Sequence, residues 1–199
     1  MAILENVSLK PYNSFGIEAI ARYFSSISSV DDLNSLPLEN RKLLVVGGGS
    51  NLLLTQDFDG LVIKNEIVGI EEIHEDERYI YVRAGAGENW HRFVQYCIGK
   101  GWAGLENLSL IPGSVGASPM QNIGAYGVEL DQCFWDLEAY NIQDRKIVTF
   151  THSDCEFGYR ESVFKKKAKN KFIILNVTFR LDKKPVFHTS YGAITQELE

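Results

Sequence analysis

The stretch "LLVVGGGSNLLLT", Leu43 to Thr55, constrains this chain more than any other. Its branched aliphatic residues predict a short, wholly buried strand, and the strand runs directly into three glycines. Glycine lets the backbone turn tightly and brings several N–H groups toward one point. The doubly wound dinucleotide fold needs Gly-x-Gly-x-x-Gly opening a helix. Here Gly47, Gly48 and Gly49 lead into Ser50-Asn51-Leu52-Leu53-Leu54, with no third glycine at that spacing and no helical pattern. That fingerprint is excluded. Two readings stay balanced: a pyrophosphate cradle completed by the Ser50 and Asn51 side chains, or a plain tight turn.

The rest of the chain predicts a strand-rich α+β protein. An irregular N-terminal arm precedes "SSVDDLNSL", where Ser29 or Asp31 can cap a helix. "GLVIKN" and "RYIYVRAGAG" read as strands, rich in branched and aromatic residues. "ENWHRFVQYCIGKG" changes period: Trp90, Phe93, Val94, Cys97 and Ile98 recur at helical spacing, with Gly99 or Gly101 as the stop and His91 facing solvent. "FWDLEAYNIQDRKIVTF" predicts a hairpin turning at Gln143 to Arg145, and "KFIILNVTFRL" a late strand. Ser153 lies three residues before Glu156, the spacing of a capping box.

Composition removes several function classes. With 20 basic and 26 acidic residues the net charge is -6, so no broad positive field invites nucleic acid or an anionic membrane. No N-terminal run joins basic residues to an apolar span, which reads as a cytoplasmic chain. Cys97, Cys133 and Cys155 are odd in number, widely spaced and without metal-site spacing; reduced, buried thiols and no metal are expected.

From Leu105 to Leu130 all periodicity disappears into a segment too apolar for a solvated linker, and long ordered loops of this kind are usually functional. In it, Gly113, Gly116, Gly124 and Gly127 permit close backbone approach, Ser114, Ser118, Gln121 and Asn122 supply hydrogen-bonding groups, and Ile111 and Ile123 can pack on a ring system. That mixture suits a large, planar, partly polar cofactor; the alternative is a glycine-rich connection. Gly85 and Gly87 read as a strand-to-helix turn, because Glu88 places negative charge where an anion would sit. Arg160, beside Tyr159, keeps its charge and can stabilise a developing anion, or can form a surface ion pair with Glu161. Lys165 to Lys171 read as a solvated face, with attraction of an anionic substrate as the other reading.

Taken in order, "LKPYNSFGI", "VVGGGSNLLLT", "GAGENWH", "GLENLSLIPGSVGASPMQNIGAYGVE" and "FGYRESVFK" closely resemble the N-terminal part of the UDP-N-acetylenolpyruvoylglucosamine reductase (MurB) family. The match runs from about Ser8 to Tyr191. The resemblance implies a two-lobed α+β FAD-binding domain of the vanillyl-alcohol oxidase (PCMH) type, with approximate lobes at residues 1–66 and 67–199. It implies noncovalent FAD, NADPH as electron donor, and reduction of UDP-N-acetylglucosamine enolpyruvate to UDP-N-acetylmuramate in peptidoglycan synthesis. The UDP-sugar and NADPH are the implied small-molecule partners.

By the same resemblance Gly47, Gly48, Gly49, Ser50 and Asn51 contact the FAD pyrophosphate. The pyrophosphate and isoalloxazine are lined by Ile111, Pro112, Gly113 and Ser114, then Gly116, Ala117, Ser118 and Pro119, then Gln121, Asn122 and Ile123, and finally Gly124, Ala125, Tyr126 and Gly127. Arg160 matches the family's active-site arginine, and Tyr159 and Tyr191 match tyrosines near the substrate. Family members continue into a substrate-binding domain with a "GSFFKNP"-like segment, whose serine donates a proton, and a later catalytic glutamate. Neither motif occurs here, so the expectation is the FAD-binding portion, with a noncatalytic flavin-binding module as the alternative.

Overall fold

The computed structural model describes residues 2–185 together with Tyr191 and Gly192. Two sheets organise it. The first contains β1 (Leu4–Ser8), β2 (Ile20–Ile27), β3 (Leu43–Val46) and β4 (Phe58–Asn65) in the order β1-β2-β4-β3. β1 is antiparallel to β2, whereas β2 and β3 both run parallel to β4. The crossover between β2 and β3 carries the short helix α1 (Val30–Ser35), opened by Ser29 in a reciprocal capping box with Asp32.

The second sheet is wholly antiparallel. It contains β5 (Ile70–Glu75), β6 (Tyr79–Gly85), β9 (Phe134–Asn141), β10 (Lys146–Thr151) and β11 (Phe172–Asp182) in the order β10-β9-β11-β6-β5. Between β6 and β9 lie the helix α2 (Trp90–Gly99) and a two-rung ladder of β7 (Gly124–Ala125) and β8 (Val128–Glu129). α2 is capped by the Asn89 side chain and lays Trp90, Phe93, Val94 and Cys97 on the sheet. Trp90, Phe93 and Phe179 of β11 pack with ring centroids 4.9 to 6.1 Å apart, and the Trp90 indole donates to the Leu108 carbonyl at 2.8 Å.

A smaller core joins the sheets. Ile27, Leu33, Leu61 and Ile63 from the first side pack with Tyr140, Ile173 and Leu175 from the second. The seam also carries directed bonds: the buried Asn65 amide donates to the Ile174 carbonyl at 2.8 Å, and the Tyr140 hydroxyl donates to Asn34 at 2.8 Å.

Several local expectations are corrected. The N-terminal arm is not irregular, since it forms β1 and β2; its polar residues mark an exposed edge, with Leu4 53% exposed. β3 is an edge strand rather than a wholly buried one, and Val45 faces outward. β5 carries too much acid to read as a strand, and its exposed edge position tolerates that. Ile98 lies off the buried stripe of α2. His91 is half-buried and accepts a bond from the Leu110 N–H at 3.2 Å. Thr151 with Asp154, not Ser153 with Glu156, forms the capping box of the one-turn helix α3 (His152–Cys155).

All three cysteines are free and buried, and burial pushes each thiol up to about 12. Two outcomes follow. The native protein should not react with a thiol-specific disulfide reagent at pH 8, and should react at three sites in urea. Unfolded thiols ionise near about 8.5 while the folded ones stay protonated, so stability should decline as pH rises from there toward about 12. Replacing Phe93 by Ala should cost about 3–5 kcal/mol of unfolding free energy in urea titrations.

Candidate cofactor cleft

The glycine turn after β3 meets the central loop after α2, and the two touch backbone to backbone. A Cβ on Gly48 would lie 2.8 Å from the Gly113 Cα, and one on Gly47 would lie 2.0 Å from the Ser114 Oγ. Gly49 adopts φ +65, and a Cβ there would meet the Tyr12 carbonyl oxygen at 1.9 Å. A Cβ at Gly48 or Gly49 would strike backbone and move the loops, whereas one at Gly47 would displace the Ser114 hydroxyl. Around the contact, Lys64 of β4 donates to the Gly47 carbonyl at 2.7 Å, and the Ser50 hydroxyl donates to the Pro112 carbonyl at 3.0 Å.

The central loop is held as firmly from behind. Gly116 donates to the Ala86 carbonyl and Val115 to the Glu88 carbonyl, both at 2.9 Å, and Trp90 donates to the Gly113 carbonyl at 3.1 Å. The loop then forms a 3-10 helix over Val115–Gln121, with Pro119 inside it, and leaves through Asn122 at φ 42. Asn122 is fully buried. Its amide nitrogen donates to Glu129 and to the Gly158 carbonyl, and its side-chain oxygen accepts from the Asp131 N–H. That side chain ties the central loop to the segment bearing Arg160.

Two cavities open along this junction. The larger, about 730 Å³, lies between the sheets and is lined by Leu43, Gly47, Asn65, Gly116 and Phe172 among others. The smaller, about 360 Å³, is lined by Ser50, Asn51, Ile111, Pro112, Ser118, Gln121, Ile123 and Arg160. Ser114, Ala117, Met120 and Lys165 border both and mark the neck between them. Arg160 has φ 54, its guanidinium reaches the Gly124 carbonyl at 3.4 Å, and its own carbonyl accepts from the Lys165 ammonium at 2.8 Å. A left-handed arginine beside a cavity is a strained residue of the kind found at functional sites.

The remaining expected site residues are placed around rather than in the cavities. Gly48 and Gly113 form the loop contact, Gly49 packs on the backbone of Tyr12 and Asn13, and Pro119 and Asn122 shape the central loop. Gly124, Ala125, Tyr126 and Gly127 make the β7–β8 ladder and its turn, where Tyr126 and Tyr191 meet edge to face at 6.3 Å. Tyr159 is 86% exposed. Gly85 and Gly87 form the structural turn expected of them, packed on the backbone of Glu66 and Ile67. The sequence alone did not mark Lys64 or Met120, and it offered Lys165 only as part of the Lys165 to Lys171 run, as a solvated face or an attractor of an anionic substrate. Among the described residues no cluster of three or more His, Cys, Asp or Glu side chains could hold a metal, and no helix is long and apolar enough to cross a membrane.

The residues present fit a dinucleotide-sized cofactor. The combined cleft exceeds what a small metabolite needs, and each cavity lies in the about 300–1,000 Å³ range of ligand sites. At the neck, Ser114 is 5% exposed and its Oγ has no hydrogen-bond partner among the described residues. A buried hydroxyl left unpaired costs about 1–3 kcal/mol, and a phosphate oxygen would satisfy it. Replacing Gly48 by Ala should push the two loops apart and weaken FAD binding at least tenfold in fluorescence titrations, about 1.4 kcal/mol. Gly99→Ala, where a Cβ meets nothing within 4 Å, should leave the affinity unchanged.

Comparison with known proteins places this cleft in a family. The FAD binding domain family matches residues 27–150. The UDP-N-acetylenolpyruvoylglucosamine reductase of Amoebophilus asiaticus is 52% identical over 100% of this chain, which spans 60% of that protein's length. The crystal structure of UDP-N-acetylenolpyruvylglucosamine reductase (MurB) from Thermus caldophilus superposes with a TM-score of 0.73 at 26% identity, covering 93% of this chain and 64% of that one. p-Cresol methylhydroxylase, at 14% identity and a TM-score of 0.59, covers 85% of this chain and 37% of its own, and shares the fold alone. The chain therefore has the strand-rich α+β fold of the PCMH type, belongs to the FAD binding domain family, and within it matches the UDP-N-acetylenolpyruvoylglucosamine reductases along its full length.

Proposed function

We propose that this chain is the FAD-holding part of a cytoplasmic, NADPH-using reductase that converts UDP-N-acetylglucosamine enolpyruvate to UDP-N-acetylmuramate for peptidoglycan synthesis. The observation that carries the reading is the unpaired, buried Ser114 hydroxyl at the neck, where the glycine turn and the central loop meet. Of the two expected lobes, residues 1–66 and 67–199, the described parts flank the cofactor, and residues 186–190 and 193–199 lie outside the described residues.

FAD, when bound, supplies a two-electron carrier between the nicotinamide and the enolpyruvyl group. The chain's own residues position and polarise. Gly47 and Ser114 offer the neck to the pyrophosphate, with Ser50 and Asn51 on the side of the smaller cavity. Ile111 and Ile123 provide apolar walls there, and Gln121 an amide. Arg160 contributes a charge that does not titrate near neutral pH, aimed at negative charge developing on the substrate. Tyr159 and Tyr191, both exposed, are available to the UDP-sugar.

Purified chain should carry about one FAD, released on denaturation, and anaerobic NADPH should bleach it. A preparation that is colourless and takes up no FAD overturns the flavin reading. Adding the enolpyruvyl substrate to the bleached protein tests the rest. Substrate-dependent return of colour supports the reductase, whereas its absence leaves a flavin-binding module. Arg160→Lys keeps the charge and loses the planar fork, so it should slow that return at least tenfold with reduction by NADPH unchanged; an equal rate would remove Arg160 from the proposed role.

A further inference from the structure

Charge on this chain is segregated in a way its net value hides. Acidic residues outnumber basic ones, 26 to 20. Yet the residues lining the two cavities include Arg41, Lys42, Arg160, Lys165 and Lys169, and not one aspartate or glutamate. Ion pairing runs the opposite way. Seven ion pairs occur among the described residues, and none engages any of these five cations.

The lysine run shows the division within a few residues. Lys166 and Lys167 turn outward and pair with Glu161 and Glu156, whereas Lys165 and Lys169 border the larger cavity. On the facing side, Arg22 pairs with Asp59 at 2.9 Å, while Arg41 and Lys42, just before β3, border the cavity without an ion pair; the charge of Lys42 acts on Asp59, which lies outside the cavity lining, only at longer range, helping to hold its carboxyl below the usual value. The Arg41 guanidinium lies over the Tyr23 ring, 4.8 Å from its centroid, which holds it in place and leaves its charge uncompensated. Arg41, Lys42 and Lys169 are exposed. Behind them the walls are apolar, with Leu38, Leu43, Phe172 and Ile174. A cleft lined by one sign of charge over low-dielectric walls focuses the field and raises the local concentration of the opposite ion.

We propose that Arg41, Lys42 and Lys169 form a cationic entrance to the larger cavity that captures a nucleotide through its pyrophosphate dianion and speeds its arrival, leaving residence time to the glycine turn and Ser114. The inference rests on the reading of the cleft as an FAD site, and it extends that reading to how the cofactor is loaded. Lys165 and Arg160 are outside the entrance: Lys165 sits at the neck, Arg160 lines the smaller cavity alone, and the Lys165 ammonium donates to the Arg160 carbonyl. A charge that acts at a distance is screened by salt, whereas a contact inside the cleft is screened far less.

The test mixes FAD rapidly with the full chain freed of flavin and follows flavin fluorescence at several salt concentrations. The triple variant Arg41→Gln, Lys42→Gln, Lys169→Gln should lose about tenfold in association rate at low ionic strength, with dissociation changed less than twofold. The loss should vanish in high salt. Neutral riboflavin should associate equally with both proteins, and Lys100→Gln, which breaks the ion pair with Glu72 outside the cleft, should change nothing. Lys42→Arg with Lys169→Arg should keep the fast rate. An unchanged association rate in the triple variant, or a loss confined to dissociation, overturns the proposal. If the unaltered chain takes up no FAD, the flavin reading fails by itself, and fluorescently labelled ADP then decides. Salt-steep ADP association that is lost in the triple variant sustains the cationic entrance, and no ADP binding overturns it.

Discussion

The Gly113 Cα occupies the place where a side chain on residue 48 would have to go, with 2.8 Å left between it and the nearest possible Cβ. That contact joins the end of an edge strand in one sheet to a loop anchored on the other, and the cleft's geometry follows from it. Because residue 48 meets Gly113 with no side chain between them, the loops come into backbone contact beside the neck lined by Ser114, Ala117, Met120 and Lys165, and the two cavities share one narrow border. Any residue with a Cβ would act as a wedge. The glycines thus answer a packing requirement of the protein as well as the close approach of a ligand.

Such a contact holds only if both partners are fixed from behind. On one side Lys64 bonds the Gly47 carbonyl, and the parallel pairing of β3 with β4 sets where the turn begins. On the other, hydrogen bonds to Ala86 and Glu88 tie the central loop to the strand-to-helix turn, and the buried Asn122 ties its far end to the Arg160 segment. Asn65 closes the seam between the sheets with a buried bond to the Ile174 carbonyl. Of these bonds the one from Asn65 to the Ile174 carbonyl crosses between the sheets, and it would be lost if they separated, at a net cost of about 0.5–1.5 kcal/mol. Directed polar bonds at the seam give the two sheets one register, which the apolar core between them does not by itself specify.

Much of the second sheet was legible because its chemistry is local. β9 and β10 alternate around turn residues, β11 is an apolar run long enough for the centre of a sheet, and α2 shows a helical stripe with a capping asparagine. What escaped has physical reasons. β1 and β5 are edge strands, where one face and one side are wet and polar residues cost little. β3 reads as buried because Leu43, Leu44 and Val46 do pack on the cores, while Val45 borders the cavity and stays 39% exposed. The site was legible in its residue types, since glycines, amides and an arginine were singled out from the sequence. Their division was not. No local pattern distinguishes Asn51, which borders the smaller cavity, from Asn122, whose bonds are all internal. Nor does a run of lysines reveal which members lie on the cleft side of a short turn.

β5 deserves a different reading from the one its position in the fold gives it. As the outer strand of the second sheet, it presents a free row of N–H and C=O groups, a template onto which another chain could add a strand. Its sequence, "IEEIHE", places Glu71, Glu72 and Glu75 along that border. A second copy approaching edge to edge would meet charged side chains at three of the six positions, Glu72 and Glu75 there being paired with Lys100 and Lys183. The same acid that hid this strand from a propensity-based reading protects the sheet from growing beyond its own molecule.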